Sequence, residues 1–196
     1  NNKYIPKKLS VEALLSGIEF SHALQKHVSD LQLHVDKIIN TNDRYWVETK
    51  NLGVEYLVTK WPDNPGRQGC TVSDVHERIA ELNIKKFKLK IRGFQVNPDG
   101  CVVLRGFDDG VIQNIRRKFF DSFPNLPSKQ SQWAHIPIGR ILTQIDPAKF
   151  RNLTEFFINS ERWLNFDEEI DCVHYVSEHR WYMIEKEILF TQKFSI

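Results

Sequence analysis

Cysteine is scarce: the 196-residue chain holds three, Cys70, Cys101 and Cys172, too few and too scattered for a disulfide framework or a zinc site. That scarcity fits a reducing compartment, and the expected location is cytoplasmic. An excess of charge of one sign is missing too. A formal net charge of +2 is too near zero for a nonspecific nucleic-acid or membrane binder, so affinity for anions must come from local clustering. No apolar run approaches the roughly 20 residues of a membrane span and no signal-peptide pattern opens the chain, so no membrane partner is expected. The start at Asn1 raises the expectation of further residues upstream. Walker loops, dinucleotide-binding glycine patterns, nucleophile elbows and zinc signatures are all absent. The acidic run Asp167-Glu168-Glu169 has no His or Cys at ligand spacing and reads as a solvated turn, so neither a metal nor a cofactor is expected.

What is present is enough apolar residue, 41% of the chain, for one well-packed domain over 1–196. Val11, Leu14, Leu15, Ile18, Leu24, Val28 and Leu31 recur at helical spacing and predict a helical segment over 10–32. The stretches Arg44 to Thr49 and Leu52 to Trp61 are rich in aromatic and β-branched residues and predict strands, the second closing on the turn Pro62 to Gly69. Thr71-Val72-Ser73-Asp74 has capping-box spacing, with Val72, Val75, Ile79 and Leu82 as the stripe of the helix behind it.

Beyond that helix, Phe87, Leu89 and Ile91 alternate with Lys86, Lys88, Lys90 and Arg92, the period of a half-buried antiparallel strand. Its partner is Cys101 to Phe107, across the turn Asn97 to Gly100. The cationic row would extend over roughly 20 Å, at about 3.3 Å per residue, and could track a phosphate backbone; the plainer reading is a solvated outer face. Arg116-Arg117-Lys118 falls on the polar side of the next helix. A further helix follows Asp146-Pro147, and Ile170 to His179 and Ile188 to Ile196 are closing strands. The order strand, helix, strand occurs around Leu52 to Arg92 and again around Trp133 to Ser177. The expected fold is therefore α+β: two pseudo-symmetric lobes of antiparallel sheet, roughly 40–125 and 126–196, with flanking helices around a central groove.

The stretch Gln132 to Ile141, QWAHIPIGRI, sets one histidine in an apolar alternating run, with a proline two residues on. A proline in a strand points to an edge or a bulge. With the helix and loop before it and the closing strands after it, this stretch resembles the second motif of the two-histidine (2H) phosphoesterase superfamily, which includes 2'-5' RNA ligase-like and cyclic phosphodiesterase proteins. The resemblance implies two His-x-Thr/Ser motifs, one on a strand of each lobe. His135, Ile138, Gly139 and Arg140 fit the second motif, and Pro137 stands where the hydroxyl residue belongs. The first motif is fainter: Trp46, Val47, Asn51 and Leu52 fit the pattern, but Gly53 stands at the histidine position and Glu55 at the hydroxyl position. A shifted register would use Leu57 and Thr59, and it too lacks the histidine.

By that resemblance one histidine takes a proton from the attacking oxygen and the other protonates the leaving oxygen, while hydroxyls and backbone amides hold the phosphate. Here His135 is the surviving half, Pro137 offers no N–H, and a carboxylate at position 55 repels an anion unless protonated or paired. Two functions follow. One is an impaired member that binds a nucleotide, an RNA end or a protein partner in the groove, through Gly53, Pro137, Arg140, His174 and His179. The other is an active phosphodiesterase in which Glu55, His174 or His179 replaces the missing group. An α+β domain unrelated to the family, with His135 a core histidine whose hydrogen bonds are satisfied, is the third reading.

Overall fold

The computed structural model describes residues 4–18, 20–62, 70–160 and 165–195. The chain runs β1 (Lys8–Ser16), α1 (His22–Val35), β2 (Arg44–Trp46), β3 (Val54–Lys60), α2 (Val72–Leu82), β4 (Phe87–Val96), β5 (Cys101–Phe107) and α3 (Val111–Ser122). It continues through β6 (His135–Ile141), α4 (Pro147–Ser160), β7 (Asn165–Ile170), β8 (Cys172–Arg180) and β9 (Glu185–Lys193). The strands form two antiparallel sheets, ordered β3-β1-β8-β9 and β2-β6-β5-β4-β7. Each sheet draws strands from both ends of the chain, so the sheets do not divide it at residue 125. One continuous cluster, from Leu14 and Tyr56 to Leu104 and Ile136, joins them.

Several elements form as the residue pattern requires. Thr71 caps α2, accepting from the Asp74 N–H while the Asp74 carboxylate accepts from the Thr71 N–H, a complete capping box. The turn Asn97 to Gly100 joins β4 to β5; Gly100 takes φ +84°, and a Cβ there would meet the Ile141 carbonyl oxygen. Of the turn expected over Pro62 to Gly69, all but Pro62 lies outside the described residues.

Other elements depart from the expectation. The segment 10–32 is not helical throughout: its first part is β1, and α1 begins only at His22. β1 lies between β3 and β8 and is covered on both faces, so Leu14 points into the core while Ala13 and Leu15 face the groove. Burial on both faces removes the period-2 signature and leaves an apolar run.

Asp167-Glu168-Glu169 is not a solvated turn but the middle of edge strand β7. Glu168, only 6% exposed, accepts from the Ser21 N–H and Oγ–H at 2.7 Å each, placing its charge at the N-terminus of α1. Carboxylates also answer three of the four members of the cationic row. Asp167 pairs with Arg92 and Glu169 with Lys86, while Asp109 pairs with Lys90. This compensated face is not arranged to follow a phosphate backbone.

Candidate active site

Two β-bulges bring the motif strands into the same register. In the first sheet Leu15 pairs with Glu55 and Leu14 with Leu57, which leaves Tyr56 as the extra residue. In the second, Val103 pairs with Pro137 and Val102 with Gly139, which leaves Ile138. The bulge follows position 55 in one strand as it follows position 137 in the other, so Gly53 is the counterpart of His135 and Glu55 of Pro137. The shifted register fails. Leu57 lies in the core, and the Thr59 hydroxyl is buried against the Tyr175 hydroxyl at 2.8 Å.

Each bulge is held from behind by a helix side chain. Arg116 of α3 donates to the carbonyls of Glu55 and Tyr56, and Gln32 of α1 donates to the Ile138 carbonyl at 3.0 Å. Arg116 is thus only 4% exposed, not on the polar side of its helix, because the bulge turns carbonyls toward it that need a donor. Pro137 is tolerated for a related reason. β2 pairs only with Gly139 to Ile141, so at Pro137 the strand has one neighbour, β5, and the missing N–H costs no ladder bond.

The bulged strands face one another across a cavity of about 370 Å³ lined by Gly53, Glu55, His135, Pro137 and Arg140. Five residues shared by both spaces, Trp61, Lys129, Arg140, Trp181 and Tyr182, continue it into an outer groove of about 750 Å³. Where a first histidine would project, the tip of one methionine side chain intrudes. A Cβ on Gly53 would lie 2.8 Å from Cε of Met183, at the tip of the β8–β9 hairpin. That tip is strained: Tyr182 and Met183 are consecutive non-glycine residues with φ +65° and +54°, at about 1–2 kcal/mol each. It is nonetheless held in place. The Glu178 carboxylate accepts from the Met183 N–H at 2.7 Å, and the Tyr182 hydroxyl accepts from Arg140 Nε at 3.0 Å, tying one sheet to the other.

The titratable groups on the floor are desolvated. His135 Nδ1 lies 3.3 Å from the Trp133 carbonyl, and as that bond's donor it leaves the lone pair on Nε2. Burial, with a smaller push from Arg116, holds the imidazole below its ordinary pKa, so it is neutral near pH 7. Burial raises the Glu55 carboxyl despite the Ser131 hydroxyl it accepts at 3.1 Å. Glu178, which sequence reasoning missed, is pushed up to about 7 by burial, opposed by the Met183 N–H and reinforced by Glu55. The available signal was its parity with the buried His174 and Val176 on β8. Arg140 is committed elsewhere, donating to the Asp99 carboxylate and carbonyl at 3.0 Å each.

The two remaining candidates do not reach this cavity. His174 shares the strand face of Glu178 but lies four residues away, about 13 Å along a strand, and is buried with Nδ1 2.9 Å from Thr191 Oγ1. His179 points to the opposite face and is exposed. No cluster of metal-ligating side chains occurs among the described residues, and no helix there is long and apolar enough to cross a membrane.

The raised Glu178 carboxyl links stability to pH. Below pH 4.5 it is protonated folded and unfolded alike; between 4.5 and about 7 the unfolded chain ionises while the folded chain does not, so stability falls as pH rises. The loss levels off above 7 at an upper bound of about 3 kcal/mol. Melting curves should show this decline, and Glu178→Gln should flatten it; an unchanged slope in the variant would place the titration elsewhere.

No family model and no curated protein matches the sequence. Solved structures do. TT0787 of Thermus thermophilus superposes with a TM-score of 0.65 at 10% identity, covering 94% of this chain and 97% of its own. LigT of E. coli complexed with NADP+ gives 0.58 at 12% identity, covering 95% and 99%. A structure described as a phosphoesterase gives 0.59 at 11% identity, again covering 95% and 99%. The chain thus has the LigT-like α+β fold of the 2H phosphoesterases, the family that its second motif resembles.

Proposed function

We propose that this protein is a hydrolytically impaired 2H phosphoesterase-like module that binds a nucleotide or RNA end in its groove. The observation carrying the reading is position 53, where glycine replaces the first histidine and the tip of Met183 intrudes. Loss of one acid–base group lowers the rate by about 10²–10⁴-fold. Two further features act against a phosphate on the floor: Glu55 at one hydroxyl position, and a proline without a donor at the other. Binding is supported by the groove that remains, with Trp61, Trp181 and Tyr182 along it and Lys129 over the Trp61 ring at 5.5 Å. E. coli LigT, whose fold is shared, has been crystallised with NADP+, 3'-AMP, phosphate and ATP. Titrating nucleotides while following tryptophan fluorescence tests the reading: saturable quenching lost in Trp181→Ala is expected, and no response to any nucleotide would oppose it.

A second reading is favoured by one observation, the neutral His135 sharing a cavity with two carboxyls that burial pushes upward, Glu178 to about 7. A base and an acid are then both present, and Glu55 or Glu178 would protonate the leaving oxygen. This version requires turnover that disappears in His135→Ala.

A further inference from the structure

The groove has opposite polarity at its two ends. On the floor, the carboxylates of Glu55 and Glu178 line one cavity; Glu55 accepts from the Ser131 hydroxyl, and Glu178 accepts from the backbone N–H groups of Met183 and Tyr182. The second oxygen of Glu55 has no donor among the described residues. Arg116 lies behind Glu55 but directs its guanidinium to the Glu55 and Tyr56 carbonyls, and Lys186 Nζ donates to Asn51 and the Met183 carbonyl. At the mouth, the outer groove is lined by the exposed lysines Lys7, Lys8 and Lys129, with Arg140 at the junction. Aromatic faces connect the ends: Trp61 and Trp181 pack 6.3 Å apart, and Tyr182 stacks on Tyr45 at 5.1 Å.

Resting on the nucleotide-binding reading, we infer that the groove selects guanine nucleotides, with the base edge on Glu55 and Glu178 and the phosphate among the lysines at the mouth. The ligand such a groove fits has adjacent hydrogen-bond donors at one end, a flat apolar body and an anionic group at the other. Guanine alone among the common bases presents an N1–H beside an N2 amino group, two parallel donors matching the two oxygens of one carboxylate. Adenine sets a single donor beside an acceptor, whose lone pair would face a carboxylate oxygen. A cationic side chain of a protein would suit the floor, but the lysines at the mouth repel it while attracting a phosphate. Placing the phosphate outward also removes its conflict with Glu55.

Isothermal titration of the whole protein at pH 8 with GMP, IMP, AMP, CMP and UMP tests this. GMP is expected to bind about ten- to hundred-fold more tightly than AMP, CMP or UMP, the range for hydrogen bonds to a charged group. IMP, which keeps N1–H and lacks the 2-amino group, should fall between, a comparison that needs no variant. Glu178→Gln and Glu55→Gln, checked for folding by their melting curves, should reduce the preference for GMP. Equal affinities for all five, a preference for another base, or a preference indifferent to both substitutions overturns the guanine assignment and leaves nucleotide binding standing. No binding of any nucleotide overturns both.

Discussion

Rebuilding the eroded motifs should switch on phosphodiesterase turnover, but only when the hairpin tip is cleared as well. Gly53→His alone is expected to give little activity, because the new Cβ sits 2.8 Å from Met183 Cε, which must move aside before the imidazole can enter the cavity that both residues line. Moving a flexible methionine tip into an open cavity costs less than overpacking a closed core does, about 1–3 kcal/mol. Combined with Met183→Ala, Glu55→Thr and Pro137→Thr, the same histidine faces His135 from the equivalent bulge position, with hydroxyls at both phosphate-holding sites. The quadruple variant should hydrolyse 2',3'-cyclic nucleotides about 10²–10⁴-fold faster than the parent, the worth of one acid–base group. A folded quadruple variant no faster than the parent would mean that the two bulged strands do not form a paired catalytic frame.

The second large effect belongs to Arg116. Its side chain is buried on the far side of the bulge and serves the carbonyls of Glu55 and Tyr56. Arg116→Met keeps much of the volume and leaves both carbonyls without their donor, at about 1–3 kcal/mol for each unsatisfied group. For a chain of this length the melting temperature should drop by about 5–15 °C. The charge is lost as well, and it currently lowers both the Glu55 and His135 titrations. His135 should therefore titrate at higher pH in the variant, a shift that NMR of its ring protons reads directly. A variant as stable as the parent would show that water satisfies those carbonyls.

How far the sequence revealed this arrangement depended on whether a residue's role was local. The alternation in β4 and the box at Thr71 were legible because each is settled by neighbours in sequence. So was His135, whose flanking Ile138, Gly139 and Arg140 lie on the same strand. β1 was not legible, because a strand buried on both faces has the same run of apolar residues as a buried helix. Arg116 and Glu168 were read as solvated because charge is ordinarily exposed; each is buried because a distant segment presents unpaired backbone, at the β3 bulge and at the start of α1. Met183 carries no signal of its own. Only the hairpin geometry brings it to Gly53, which lies far from it along the chain.

The central claim, that the groove binds its ligand without hydrolysing it, is tested most directly by one assay. The purified protein and its His135→Ala variant are incubated with 2',3'-cyclic nucleotides and 2'-5' oligoadenylates, with product and bound ligand measured in the same samples. Bound ligand with no product above the variant's background is the expected result. Product formation by the parent that disappears in His135→Ala would contradict the claim and make Glu55 and Glu178 the candidates for the missing acid.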